Sequence, residues 1–284
     1  MARFTIWVVQ QSPQDKAPQC FFEFAEGVAY SLRQLGHEVA FVKGTSPYSY
    51  VLPDSRAIVF NGHCLPAIPL APDTIIYNAE QVQVDAWKAA NYAGLLRRHV
   101  VWDYSTENID RLAQLGVTRA VHCPVGYYPG LTDIKLAPQE DLDVLFIGWM
   151  NERRTKIVND LARRGVKVRA LTGVYGEERN AWLARAKIVL NIHFYEKPVF
   201  EIFRVSHLLA NKKCVVSEDS GCDAGLEAFA EQATALVPYD KIPAAVATLL
   251  LDKDKRREQA ARGFEAFSKL DQVALVKAAL EASP

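Results

Sequence analysis

The chain has 284 residues, half of them hydrophobic, with 33 basic and 33 acidic side chains that cancel. A zero balance argues against a nucleic-acid binder, which carries a basic surface. The short basic clusters Arg153–Arg154, Lys212–Lys213 and Lys255–Arg257 each lie among acids, so solvated faces explain them. The length suits two compact domains of roughly 100–200 residues each.

Five cysteines (Cys20, Cys64, Cys123, Cys214, Cys222) are widely scattered, with no C-x-x-C pair. That pattern predicts buried reduced thiols in a cytosolic protein rather than disulfides or a metal centre. The apolar run in "MARFTIWVVQQ" is too short for a signal-peptide core, and no segment approaches the roughly 18 apolar residues of a spanning helix. The expectation is a soluble, cytoplasmic protein.

In chain order, "FTIWVVQ" is a continuous apolar run, as in a parallel strand covered on both faces. A polar loop precedes a helix through Leu35, and "HEVAFV" begins the second strand. "RAIVFNG" and "TIIYN" read as strands, followed by a helix from Trp87 to Leu96. "HVVWDYS" is a strand, Glu107 to Leu115 a helix, and "RAVHCPVGY" a last strand and turn. The segment "PGLTDIKLAPQEDLD" is rich in Pro, Gly and acids and reads as a linker. The alternation then restarts with "VLFIG", a helix Arg153 to Arg164, "VKVRAL", a helix Glu177 to Ala186, and "KIVLN". "CVVSED" and "TALVPY" are further strands, and helices Ile242–Leu251, Lys255–Phe267 and Asp271 to about Ala282 close the chain. Such alternation predicts two Rossmann-like doubly wound α/β domains facing across a cleft. Their expected bounds are 1–132 and 144–268, with a linker over 133–143 and a C-terminal helix, 269–284, packing back on the first domain.

The stretch "KPVFEIFRVSHLLANKK" predicts a helix that starts at Pro198 and continues from Val199 to Ala210. Val199, Ile202, Val205 and Leu209 share an apolar arc. Glu201, Arg204 and His207 gather on the other side. A half-buried Arg204 needs an anionic partner, either Glu201 one turn earlier or a ligand. His207 taken alone reads as a structural histidine.

Ligands of open α/β sheets bind beyond the carboxyl ends of the strands. In the second half the loops there are "GWMNERR", "TGVYGEE" and "HFYEKP". Each leads into a helix N-terminus, where N–H groups and the macrodipole favour an anion. Gly148 and Gly173 let backbone approach a ligand. Arg153, Arg154 and Lys197, beside Tyr195, put cations where a phosphate or diphosphate would sit.

The segments "FIGWMNERR", "FRVSHLLANKKCVVSED" and "LLLDKDKRREQAARGFEAF" together resemble the donor half of GT-B fold nucleotide-sugar glycosyltransferases of the group 1, small bacterial type. The resemblance implies a glycosyltransferase, hexosyltransferase in type, that moves a sugar from a nucleotide-sugar donor to a glycan or other hydroxyl acceptor, as in polysaccharide biosynthesis. It implies no cofactor and no metal. It places His207 where relatives carry a ribose-contacting glutamate, with Arg204 three residues before it. Val199 stands at the earlier glutamate of the retaining subgroup, so the paired-glutamate signature is absent here. "SLRQLGHEVAFV", "YNAEQV" and "VWDYSTENIDRL" resemble the acceptor half.

An inverting transfer needs a base for the acceptor hydroxyl. His63, Glu80 and Asp103 each follow a predicted first-half strand, although strand-end polar residues also cap helices. Tyr48, Tyr50, Tyr127 and Tyr128 are candidates for stacking on a sugar, with turn or core packing as the alternative. No histidines at i, i+4 and no strand-end Asp-x-Asp pair suggest a metal site, and the turn after the first strand has no glycine for a dinucleotide. The competing functions are a nucleotide-sugar epimerase and a non-catalytic nucleotide-sugar or glycan-binding protein.

Overall fold

The computed structural model describes residues 1–12, 14–44, 54–65, 69–88, 91–135, 137, 139–195 and 198–284, the side chain of Lys88 excepted. Tyr48, Tyr50 and Lys197 lie outside the described residues. The chain divides into two compact units, Met1–Tyr128 with Asp271–Pro284, and Pro129–Leu270.

The first unit contains β1 (Arg3–Val9), α1 (Phe22–Gln34), β2 (Glu38–Gly44), β3 (Arg56–Phe60), β4 (Ile75–Asn78), α2 (Val84–Lys88), α3 (Asn91–Leu96), β5 (Val100–Asp103), α4 (Thr106–Gln114) and β6 (Ala120–His122). Its strands pair in parallel in the order β2-β1-β3-β4-β5-β6. Burial on both faces explains why β1, β4 and β5 read as unbroken apolar runs. Trp7, Val9, Val59, Ile76, Val101 and Leu112 form one cluster with no solvent exposure, each worth about 1.5–3 kcal/mol of burial or more.

The second unit contains β7 (Leu142–Ile147), α5 (Glu152–Arg163), β8 (Val168–Leu171), α6 (Gly176–Arg185), β9 (Ala186–Asn191), α7 (Ile202–Ala210), β10 (Cys214–Glu218), α8 (Ala224–Ala233), β11 (Ala235–Val237), α9 (Ile242–Leu251) and α10 (Lys253–Ser268). The sheet order is β11-β10-β9-β7-β8, again parallel. Phe146, Leu161, Ile188, Leu190, Val216 and Val246 fill its core.

The last helix, α11 (Gln272–Ala282), belongs to the first unit. Gln272 Oε1 accepts from the Gly126 N–H at 2.6 Å, and Trp102 Nε1 donates to Ser283 Oγ at 2.8 Å. Gly27 on α1 admits this packing, because a Cβ there would stand 3.0 Å from the Tyr128 ring. Tyr128 is thereby a buried packing residue whose hydroxyl donates to the Glu23 carbonyl at 2.9 Å.

The helix expected from Trp87 to Leu96 is assigned as α2 and α3, and two further elements differ from the sequence expectation. The helix predicted from Pro198 begins at Ile202 instead, and Pro198, Val199 and Phe200 are buried but not helical. Glu201 sits at the N-cap, where two arginines hold its carboxylate. Helix α8 went unread, although Asp223 caps it by accepting from the Gly225 and Leu226 N–H groups.

Candidate functional site

The first sheet runs in the order 2-1-3-4-5-6 and the second in the order 2-1-3-4-5, so in each the crossovers depart in opposite directions between the first and third strands. Open α/β sheets bind ligands outside the carboxyl ends at that point. In the second unit this is the end of β7 beside β9, and most of the charged candidates assemble there.

Arg153 and Arg154 stand in the first turn of α5, which Asn151 caps by accepting from the Arg154 N–H at 3.0 Å. Arg154 is buried and spans the crevice. Its Nε donates to the Ile192 carbonyl at 2.9 Å, Nη1 to the Trp149 carbonyl at 2.7 Å, and Nη2 to Glu201 Oε1 at 3.1 Å. Burial, then the neighbouring Arg204, pulls its pKa down to about 10. Arg153 makes a two-point contact with Glu218 at the end of β10, at 3.2 and 2.5 Å, and also donates to the His193 carbonyl. Its guanidinium covers the Tyr239 ring at 4.4 Å.

Arg204 reaches back from α7 with Nη1 donating to Asn191 Oδ1 at 2.9 Å and pairing with Glu201 Oε2. A Cβ on Gly148 would stand 3.2 Å from Arg204 Nη2 and from Phe146 Cζ, and Gly148 has φ +155°. Only glycine meets both conditions without strain. The pairing answers the question Arg204 raised. Its anionic partner is Glu201, shared with Arg154, so among the described residues three guanidiniums share two carboxylates.

His193 completes the crevice. Its N–H is bound by Glu218 Oε2 at 3.0 Å, and its Nε2 lies 3.0 Å from the Glu218 carbonyl, so Nε2 carries the proton. Burial lowers its pKa and keeps the ring neutral. Among the described residues the buried Nδ1 has no hydrogen-bond partner. Around this polar floor stand Trp149, Phe194 and Tyr195, 65%, 38% and 45% exposed, the last two in edge contact at 5.2 Å. Glu218, His193, Asn191, Trp149 and Phe194 were missed in sequence. All five lie at or just beyond strand ends, so the rule that found Arg153 applied to them equally.

The remaining second-unit candidates lie apart from this cluster in their contacts. Gly173 turns the β8–α6 loop at φ +71°. His207 is buried, with Nε2 2.8 Å from Asp133 Oδ1 and 3.1 Å from Arg179 Nη2. Asn180 Nδ2 donates to the other Asp133 oxygen at 2.8 Å. Burial alone would raise the Asp133 pKa, but these partners hold it below the ordinary carboxylate range.

In the first unit, the ends of β3 and β4 bring two candidates together. His63 Nδ1 lies 3.7 Å from Glu80 Oε1, both partly exposed, and Tyr92 packs edge-on to the imidazole. Asp103 is different. It is fully buried and accepts from Asn78 Nδ2 at 2.6 Å, the Ser105 N–H at 2.9 Å and Asn108 Nδ2 at 3.1 Å. Asn78 and Asn108 in turn donate to the Glu80 carbonyl at 3.0 Å each. Asp103 therefore anchors the loop that carries Glu80, and its own carboxylate does not reach solvent. Among the described residues no group of three His, Cys, Asp or Glu side chains is placed to hold a metal ion, and no helix is long and apolar enough to cross a membrane.

The architecture is the GT-B fold, and comparison with solved structures agrees. AviGT4, a glycosyltransferase involved in avilamycin A biosynthesis, superposes with a TM-score of 0.58 at 16% identity, over 99% of this chain and 97% of that one. Anabaena HepE in complex with UDP and glucose gives 0.64 at 11% identity, covering 99% of each chain. T4 phage BGT in complex with UDP and Mn2+ gives 0.62 at 13%, again with 99% of each covered. No family model matches the sequence. An uncharacterized protein of Acanthamoeba polyphaga mimivirus is 32% identical over 176 residues, 59% of this chain and 56% of that protein. A second from the same virus is 32% identical over 39% of this chain but only 13% of its own length. The chain thus spans little more than half of the one and a small part of the other.

Proposed function

We propose that this chain is a glycosyltransferase that binds a nucleoside-diphosphate sugar at the β7–β9 switch point and moves the sugar to a hydroxyl acceptor. One observation carries the reading. Among the described residues Arg204 Nη2 stands against Gly148 without a hydrogen-bond partner, in a crevice where three guanidiniums share two carboxylates. The fold shared with AviGT4, HepE and BGT supports it.

In this reading Arg204 and Arg153 take the diphosphate, while Arg154 and Glu201 hold them in place. Negative charge grows on the leaving diphosphate as its bond to the anomeric carbon breaks, and donors fixed beforehand stabilise that charge without reorganising. Arginine suits the task through its planar fork of N–H groups. Charge neutralisation by arginine gives a reaction that needs no metal, which turnover in excess EDTA checks. Trp149 and Tyr195 supply faces for the base or the sugar. His63, oriented by Glu80, accepts the proton of the acceptor hydroxyl.

Calorimetric titration of UDP, GDP, CMP and dTDP tests the donor role. One of them binds the wild type, and Arg204→Ala weakens that binding at least tenfold while the fold persists. Equal affinity in the two proteins ends the reading.

A further inference from the structure

A second concentration of positive charge lies in the same unit, at the amino ends of β9 and β10, the opposite edge of the sheet from the crevice. A cavity of about 60 Å³ opens there, lined by Lys187, Lys212, Lys213, Lys253, Arg256 and Arg257 with Glu140. That volume is several times the ~10–15 Å³ that admits one water molecule. Positions 253, 256 and 257 share one face of α10 by helical spacing, turned toward the two lysines that follow α7.

The partners of these cations do not balance them. Lys187 pairs with Asp143 at 2.6 Å, and Lys213, 4% exposed, reaches only Glu140 at 3.4 Å. Arg256 donates to the Leu249 and Leu250 carbonyls at 2.6 and 2.9 Å, which orients the guanidinium but leaves its charge. Lys212 lies over the Phe264 ring at 4.7 Å. Lys253 and Arg257 are exposed and have no ion pair among the described residues. Among the described residues these six cations therefore form ion pairs with two carboxylates. Burial depresses the Lys213 pKa, as an ammonium without full compensation requires.

The backbone adds an independent sign. Lys212 follows the C-cap Asn211 of α7 with φ +52°. Helices that end in this left-handed state use glycine most often, because a Cβ is strained there. Here a lysine takes the strain, immediately before a second lysine that is buried. The macrodipole favours a cation after a helix C-terminus, but it does not require the burial of Lys213.

We infer that this pocket is an anion site for a phosphoryl group, separate from the crevice at the carboxyl edge and independent of the proposed transferase activity. Ammonium and guanidinium groups around a phosphate-sized space recognise the charge and oxygens of a phosphate monoester. A free phosphate and a phospholipid headgroup share that chemistry.

Titration of the full chain with inorganic phosphate, followed by calorimetry and 31P NMR, tests the site. The double variant K253E/R257E alters two exposed residues and keeps the wild-type melting temperature. Saturable phosphate binding in the wild type, at least tenfold weaker in K253E/R257E and retained in Arg204→Ala, supports the pocket. Equal binding in wild type and K253E/R257E overturns it, as does the absence of saturable binding. Sedimentation with vesicles of phosphatidylcholine plus phosphatidic acid then separates the sources. Capture lost in K253E/R257E assigns the headgroup, and phosphate binding without capture assigns a soluble phosphate. Vesicle capture without saturable phosphate binding marks a diffuse basic face and overturns the pocket.

Discussion

The carboxyl edges of the two sheets share the order of their first five strands and differ in chemistry. In the first unit the edge is built on one buried carboxylate, Asp103, whose hydrogen bonds through Asn78 and Asn108 fix the Glu80 loop. In the second unit it is built on three arginines and two glutamates in shared ion pairs. A single carboxylate held by amide donors fixes one partly exposed acid–imidazole pair. A charged network, in which among the described residues three guanidiniums share two carboxylates, gathers the arginines of the other edge. The same topology thus presents a histidine–glutamate pair on one sheet and a cluster of paired arginines on the other, and the strand-end side chains alone make the difference.

The sharpest break of that contrast is Arg154→Ala. Removing the buried guanidinium leaves the Ile192 and Trp149 carbonyls without this donor and Glu201 with Arg204 alone, at a cost of about 3–5 kcal/mol, read as a shift of the urea midpoint of the second unit. Asp103→Ala is the counterpart in the first unit. It leaves buried amide donors unpaired and costs about 3 kcal/mol, since hydrogen bonds to charged groups are worth ~1.5–3 kcal/mol each. An equal loss in Asp103→Asn would show that charge matters there, and a smaller loss that geometry does. Gly148→Ala forces strain at φ +155° and crowds Arg204. It should lose about 1–2 kcal/mol, where a Gly→Ala exchange at a compatible position would instead gain about 0.4–1 kcal/mol.

Acid sharpens the comparison further. Asp133, Asp141 and Asp143, all in the second unit, have depressed pKa values. For Asp141 the Arg185 hydrogen bond dominates and brings it to about 2. A folded pKa below the unfolded one contributes stability that is present above the unfolded value of 3.8 and lost as pH falls toward 2. Unfolding followed by Trp149 and Trp182 should therefore move to lower urea between those limits. The smallest effect on stability belongs to His63→Ala, within about 0.5 kcal/mol for an exposed side chain. Its effect on turnover, about 10²- to 10⁴-fold if the imidazole is the base, is measured in the same protein.

Much of the fold could be read from apolar runs alternating with helical periods, because strands covered on both faces leave a plain mark in sequence. Arg153, Arg154 and Gly148 were legible for a related reason. Strand-end loops follow directly from the strands. His193 and Glu218 obeyed the same rule, yet a histidine and a glutamate in such loops look ordinary until Arg153 is seen to contact both. The start of α7 was misread because Pro198 is equally at home before a helix and in a buried extended segment. Asp133, read within a linker, bonds His207 across 74 positions, and no local pattern reports a contact at that separation.

Sequence alone determined that the chain alternates strand and helix in two successive series and that its charged strand-end residues gather in the second. Periodicity and composition are local, and the parallel sheet magnifies them. Only the tertiary structure decided which charges neutralise one another: that Glu201 serves two arginines, that Asp103 is an anchor, and that four lysines and two arginines converge on one cavity with too few acids. Coulomb energy depends on distance and burial, and neither is written along the chain until it folds.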